Sequence, residues 1–263
     1  MKNYLDVAFR SALEAGLAIR QIYDDPNADF QVERKADDSP LTIADRRAHE
    51  IIVRHLKETP FPVLSEEGRH APYDERKDWT TFWCVDPLDG TKEFVKRNGM
   101  FSVNVALVVD GKPLVGVVYF PATGLVYWTD GETAKRADVV DDTDIQNIEN
   151  LPMKSAKTGR PFTVVASASH CNAETVAYIE NLRRSHPDLE LVSAGSSLKI
   201  CRVAEGSADV YPRLGPTCEW DTAAGHAVVR AAGGDIVSHE DGLTLRYNKP
   251  DLLNPSFIVT LNS

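Results

Sequence analysis

The stretch that most constrains this chain is WCVDPLDGTKEF, residues 83–94. Residues 81–85 read as a buried strand, because they run apolar and aromatic with little polar relief. Two aspartates follow, Asp86 and Asp89, with Pro87 between them. Carboxylates at the end of a buried strand are costly unless positive charge sits beside them. Pro87 lacks an N–H and has a fixed φ, so DPLDG is expected to be a stiff turn. Such a turn would aim both aspartates and the Leu88 carbonyl at one point. Turn formation alone also accounts for a D-x-x-D-G sequence, so the pair needs company before it signifies a site.

Composition narrows the partners. The 263-residue chain carries a formal net charge of −10, which opposes binding to a nucleic-acid duplex or an anionic membrane. A phosphorylated small molecule remains compatible if metal ions supply local positive charge. The four cysteines, Cys84, Cys171, Cys201 and Cys218, form no C-x-x-C pair and read as reduced thiols of a cytosolic protein. The opening residues have no signal-type apolar run, and no stretch is long enough to span a bilayer, so a cytoplasmic location is expected.

Helical spacing of Leu5, Ala8, Ala12, Ala15, Ile19 and Ile22 predicts an amphipathic helix over residues 3–23. A second helix is expected over 43–57, with Thr42 and Asp45 forming a capping box. An extended segment at 63–65 leads to Glu66-Glu67-Gly68. Residues 101–128 alternate and turn at Asp110-Gly111 and at 122–124, an antiparallel meander. Residues 130–161 are polar and are expected to be irregular, with a lobe boundary inside them. Strands at 163–168, 189–193 and 208–211 then alternate with helices at 173–184, 197–204 and 222–232, followed by closing strands, an α/β second half.

Four carboxylates are candidates for one site: Glu66, Asp86, Asp89 and Asp221. Ligands collect at strand ends in α/β folds, and an all-oxygen set without His or Cys suits a hard cation, above all Mg²⁺. Each has a plainer reading alone. Glu66-Glu67 makes a solvated loop, and Asp221 an N-cap for the helix after it.

The combination SEEG (65–68), WCVDPLDGT (83–91) and EWDTAAGHAVVRAAGG (219–234) resembles the magnesium-dependent, lithium-sensitive phosphomonoesterases of the inositol monophosphatase superfamily over nearly the whole chain. The segment GSSLKICRVAEGSADVYPRLGPTCEWDTAAG (195–225) is most similar to its 3'(2'),5'-bisphosphate nucleotidase branch. Inositol monophosphatases usually carry a glutamate where this chain has Arg213. An arginine fork suits a second phosphate, whereas a glutamate suits a sugar hydroxyl.

The resemblance implies an α/β fold with an α+β first half, a layered α/β/α/β/α sandwich of the inositol monophosphatase and fructose-1,6-bisphosphatase type. Residues 1–155 and 156–263 would form two lobes of one catalytic unit. One Mg²⁺ would be held by Glu66, Asp86 and the Leu88 carbonyl, and a second by Asp86, Asp89 and Asp221. A third, weaker ion near a loop with Lys35 and Asp38 is left open. Asp45 and Thr91 would activate the attacking water. For Asp45 this competes with the capping box, which would point its carboxylate at local backbone; for Thr91 it competes with an N-cap of the following segment. Gly90 and Thr91 amides would contact the scissile phosphate, and His170, Ser196, Lys199 and Arg213 would bind the nucleotide. Lys199 alone would read as a solvated helix charge, and His170 as a polar loop residue. The implied substrate is adenosine 3',5'-bisphosphate, a by-product of sulfate assimilation, cleaved to AMP and phosphate. The alternatives are an inositol or sugar monophosphatase and a non-catalytic relative that binds nucleotide or metal. A homodimer and weak peripheral association with the inner membrane stay open.

Overall fold

The structure, a computed structural model, describes residues 2–34, 40–141, 144–167 and 172–262. Helix α1 (Lys2–Tyr23) lies beside α2 (Ile43–Leu56), with the short pair β1 (Glu33–Arg34) and β2 (Pro40–Leu41) between them in sequence. The Thr42 hydroxyl accepts the Ala44 and Asp45 amides and so caps α2. Next come β3 (Val63–Ser65), the single turn α3 (Tyr73–Arg76), β4 (Thr81–Asp89) and α4 (Thr91–Val95). The meander is β5 (Ser102–Val109), β6 (Lys112–Phe120) and β7 (Leu125–Thr129).

Residues 130–161, expected to be irregular, continue that meander as β8 (Ala134–Val140) and β9 (Asp144–Asn150), before the single turn α5 (Lys154–Lys157). Strand β9 forms the sheet edge and is exposed at nearly every position, so no apolar alternation marks it in the sequence. The sheet has seven strands in order β3-β4-β5-β6-β7-β8-β9, parallel only between β3 and β4.

The remaining elements are β10 (Thr163–Ala166), α6 (Ala173–Ser185), β11 (Glu190–Ser193), α7 (Leu198–Glu205), β12 (Val210–Arg213), α8 (Glu219–Ala231), β13 (Gly234–Ser238) and β14 (Phe257–Leu261). Their five strands order as β11-β10-β12-β14-β13. Strand β10 pairs in parallel with β11 and β12, while β14 runs antiparallel to its neighbours.

Side-chain alternation stacks these elements into five layers. On β4, Trp83 and Val85 face the core shared with α1 and α2, whereas Phe82 and Cys84 face the core shared with α7 and α8. On the second sheet, Val165, Tyr211 and Val259 meet α7 and α8, while Val164, Val210 and Ile258 meet Ile179 of α6. The order is therefore helices, seven-stranded sheet, α7 and α8, five-stranded sheet, α6. Helix α8 is buried on nearly every side because it lies between two sheets. Its approach to β6 requires Gly116, where a Cβ would sit 2.4 Å from the Ala224 carbonyl oxygen.

Candidate functional site

The sequence predicts that the first strand stops at residue 85 and a turn follows. Instead β4 runs on to Asp89 and carries a bulge. Asp86 stands opposite Asn104 and Asp89 opposite Ser102, so Pro87 and Leu88 together face Val103 alone. Residues three apart on a regular strand point to opposite faces. The extra bulge residue resets that parity and brings Asp86 and Asp89 onto one face, the face that looks toward α8. Pro87, which can offer no ladder N–H, occupies the irregular position.

Helix α8 delivers the third aspartate. It begins at Glu219, earlier than the sequence suggests, so Asp221 lies in its first turn rather than at the N-cap. Candidate ligand oxygens of Asp86, Asp89 and Asp221 lie within 4.8 Å of one another. Glu66 follows β3, is held by its amide to the Val85 carbonyl (3.1 Å), and lines the same cleft.

These carboxylates are individually restrained. Asp86 Oδ1 accepts the Leu88 amide (3.0 Å), and Asp221 Oδ2 accepts the Cys218 amide (2.7 Å). Asp89 Oδ2 accepts the hydroxyls of Ser196 (2.6 Å) and Ser197 (3.1 Å). In both Asp89 and Asp221 the second oxygen has no hydrogen-bond partner among the described residues. Burial, reinforced by the charges of Glu66, Asp89 and Asp221, pushes the Asp86 carboxyl well above the usual range. Burial and the Asp89 charge push Asp221 up to about 8. A buried aspartate clustered with half-buried carboxylates calls for a counter-cation, and oxygen donors with one oxygen already held fit a small octahedral ion.

Asp45 serves two partners at once. Its Oδ2 accepts the Thr42 amide (2.7 Å) and hydroxyl (2.5 Å), closing the capping box, while its Oδ1 accepts the Thr91 hydroxyl (3.0 Å). The capping and Thr91 readings of Asp45 coexist because a carboxylate has two oxygens. Thr91 is the first residue of α4 and not its cap; Gly90 holds that place with φ +90°. The Leu88 carbonyl lies 3.2 Å from the same Thr91 hydroxyl. Burial raises the Asp45 pKa despite the hydrogen bonds from Thr42 and Thr91 that lower it.

Acids and cations share a cleft of about 810 Å³ lined by Glu66, Asp89, Thr91, Lys199, Arg213 and Asp221 among others. Lys199 is not the solvated charge its sequence suggests. It is 6% exposed, donates to the Ser196 carbonyl (2.6 Å), and lies over the Tyr211 ring. Burial lowers its pKa to about 8, against the opposing effect of Asp89. Arg213 donates Nη2 to the Pro216 carbonyl (3.0 Å), while its buried Nε has no partner among the described residues. Ser196 adopts φ 50° and reaches Asp89. His170, Lys35 and Asp38 lie outside the described residues. Sequence reasoning missed Ser197, Ser102 and Asn104; the last two signal themselves only as polar residues alternating on an otherwise apolar strand.

The inositol monophosphatase family model matches residues 1–262. The 3'(2'),5'-bisphosphate nucleotidase CysQ of Salmonella typhimurium is 44% identical over 260 residues, 98% of this chain and 99% of that protein. CysQ of Haemophilus influenzae is 34% identical and covers 98% of this chain and 93% of its own length. The crystal structure of CysQ from Bacteroides thetaiotaomicron superposes with a TM-score of 0.90 at 49% identity, covering 99% of this chain and 98% of that one. An inositol monophosphatase from Thermotoga maritima shares the fold, with a TM-score of 0.73 at 22% identity. With the family model matching residues 1–262 and relatives matching nearly the whole chain, this protein belongs to the inositol monophosphatase family.

Proposed function

We propose that the protein is a Mg²⁺-dependent 3'(2'),5'-bisphosphate nucleotidase that hydrolyses adenosine 3',5'-bisphosphate to AMP and phosphate in sulfur assimilation and nucleotide recycling. The observation that carries this reading is a single cleft with two chemically different ends. Its acidic end gathers Glu66, Asp86, Asp89 and Asp221; its cationic end holds buried Lys199 and the Arg213 guanidinium. A monophosphate needs only the first end, whereas a bisphosphate uses both. The curated relatives carry the same activity in their names.

Glu66, Asp86, Asp89, Asp221 and the Leu88 carbonyl are the groups that would hold two Mg²⁺ ions. When bound, such ions supply charge that acidifies a water and neutralises a departing oxygen. Among the described residues Asp89 and Asp221 each present one unengaged oxygen, a set suited to Mg²⁺ more than to the larger, often bidentate coordination of Ca²⁺.

The chain's own contribution to proton transfer is the Asp45–Thr91 pair. Thr91 donates its hydroxyl proton to Asp45 Oδ1, leaving an oxygen lone pair free to accept a proton from the attacking water. As that proton arrives, Thr91 passes its own to Asp45, whose raised pKa favours accepting it. Lys199 and Arg213 hold the phosphate that stays on the nucleotide, Arg213 through its Nε, which has no partner among the described residues. Water then attacks phosphorus directly, and no protein nucleophile is required. A cytoplasmic setting accords with free cysteines at Cys84, Cys201 and Cys218, and with the lack, among the described residues, of a helix long and apolar enough to cross a membrane.

The test is phosphate release from adenosine 3',5'-bisphosphate and from inositol 1-phosphate, with Mg²⁺ and with chelator. Mg²⁺-dependent turnover strongly favouring the bisphosphate is expected. Preference for inositol 1-phosphate would turn the reading to a sugar monophosphatase, and no turnover of either to a binding protein.

A further inference from the structure

A buried polar circuit that the proposed chemistry does not use links β5 to the acidic cluster through Ser196 and Ser197. Ser102 and Asn104 sit on β5 directly opposite Asp89 and Asp86, both essentially inaccessible to solvent. Asn104 Nδ2 donates to Ser197 Oγ (2.9 Å), and Ser102 Oγ lies 2.5 Å from Ser196 Oγ and 3.0 Å from Asn104 Oδ1. Ser196 and Ser197 are the two residues whose hydroxyls reach Asp89 Oδ2.

Counting protons shows what the circuit does. Asn104 fills a lone pair of Ser197, so the single Ser197 proton must point away, toward Asp89 Oδ2 or the Asp221 carbonyl (3.0 Å). The carboxylate takes the Ser196 proton, because a charge-assisted bond outcompetes a neutral one. Ser102 is left to share its proton between Ser196 and Asn104. We infer that Asn104 and Ser102 are positioning residues: acting through Ser197 and Ser196, they fix which oxygen of Asp89 is occupied and which is offered to a cation. Ser196 extends the effect to the cationic end, since its carbonyl holds Lys199.

The inference rests on the metal-dependent reading above, and its test keeps the two apart. Mn²⁺ binding to the metal-free protein is read by electron paramagnetic resonance for wild type, Asn104→Ala, Ser102→Ala and Ser102→Thr, each checked for a cooperative thermal melt. Losing a group that orients a metal ligand lowers metal affinity roughly 10- to 100-fold. That loss is expected for Asn104→Ala and Ser102→Ala, with the Mg²⁺ concentration for half-maximal turnover raised by the same factor, kcat recovered at saturating Mg²⁺, and affinity restored in Ser102→Thr. Should Asn104→Ala fail to fold, the Ser102 pair decides. Wild-type Mn²⁺ affinity in the folded alanine variants overturns the inference, as does a kcat loss that Mg²⁺ does not restore. A wild-type protein that binds no Mn²⁺ overturns the metal-dependent reading and this inference together.

Discussion

Replacing Arg213 with methionine removes a guanidinium while keeping most of the apolar stem. Among the described residues that guanidinium makes one hydrogen bond, Nη2 to the Pro216 carbonyl, and its buried Nε has no partner. A second phosphate would therefore gain an arm that is already pinned, and would satisfy an orphaned donor rather than displace an existing bond. Hydrogen bonds to charged groups contribute about 1.5–3 kcal/mol each. The site is only half-buried and open to solvent, so a two-bond fork is discounted to about 2–3 kcal/mol in total. That corresponds to a drop of roughly 30- to 150-fold in kcat/KM for adenosine 3',5'-bisphosphate. A nucleoside monophosphate such as 3'-AMP lacks the second phosphate and should lose no more than a few-fold. Arg213→Lys keeps the charge but not the fork, and should fall between wild type and methionine. The assay is initial-rate phosphate release at fixed, saturating Mg²⁺ across the two substrates. Equal losses on both would refute the argument, since they would mean that Arg213 acts on the acidic end or on folding and does not read the second phosphate.

Asp86→Asn should abolish turnover yet leave the metal-free melting temperature unchanged or higher, because it relieves crowding among buried acids; a large drop in melting temperature would contradict this account. Lithium should inhibit at fixed Mg²⁺, and inhibition should weaken as Mg²⁺ rises; insensitivity in a rate assay would remove lithium from the family traits carried by this chain. Gly116→Ala should destabilise the fold by about 1–3 kcal/mol in urea unfolding, because the new methyl would lie 2.4 Å from the Ala224 oxygen and 2.8 Å from Ala227 Cβ. His226 is buried between the Tyr247 hydroxyl (2.8 Å) and Asp235 (2.7 Å), and burial holds its pKa below the ordinary value. The unfolded chain therefore binds the proton more readily, so stability is complete above the ordinary histidine range and falls as pH drops through it toward the folded value. His226→Gln should flatten the slope of unfolding free energy between about pH 5 and 7, and an unchanged slope would assign the acid sensitivity elsewhere.

The first two helices were legible because their residues alternate between a wet and a dry side, and the central meander because its strands are apolar on both faces. Ile43–Leu56 shows its periodicity and its cap in sequence, and β5 to β7 announce themselves by apolar runs closed at turns. Strand β9 was not legible, because an exposed edge strand has no dry side to pattern. Lys199, taken alone, reads as solvated for a related reason. A lysine in an amphipathic helix looks solvated until a second sheet covers that face, and only the packing of Tyr211 against it shows otherwise.

The acidic residues and their convergence on one point were legible, but the device that brings it about, a strand bulge and not a turn, was not. A spacing of three between Asp86 and Asp89 argues, on a plain strand, for opposite faces and two unrelated carboxylates. What reverses that conclusion is the register with β5, where Pro87 and Leu88 face the single residue Val103. Register is a relation between two strands, so it cannot be written in either one alone. The clue on the partner strand was the pair Ser102 and Asn104, polar residues on the inward face of a strand otherwise packed into the core. Burying them costs free energy unless they bond to something opposite. Here Ser102 and Asn104 bond to each other and to Ser196 and Ser197, whose hydroxyls in turn reach Asp89, so two inward polar residues on β5 mark a buried network that ends on the acids brought together by the bulge.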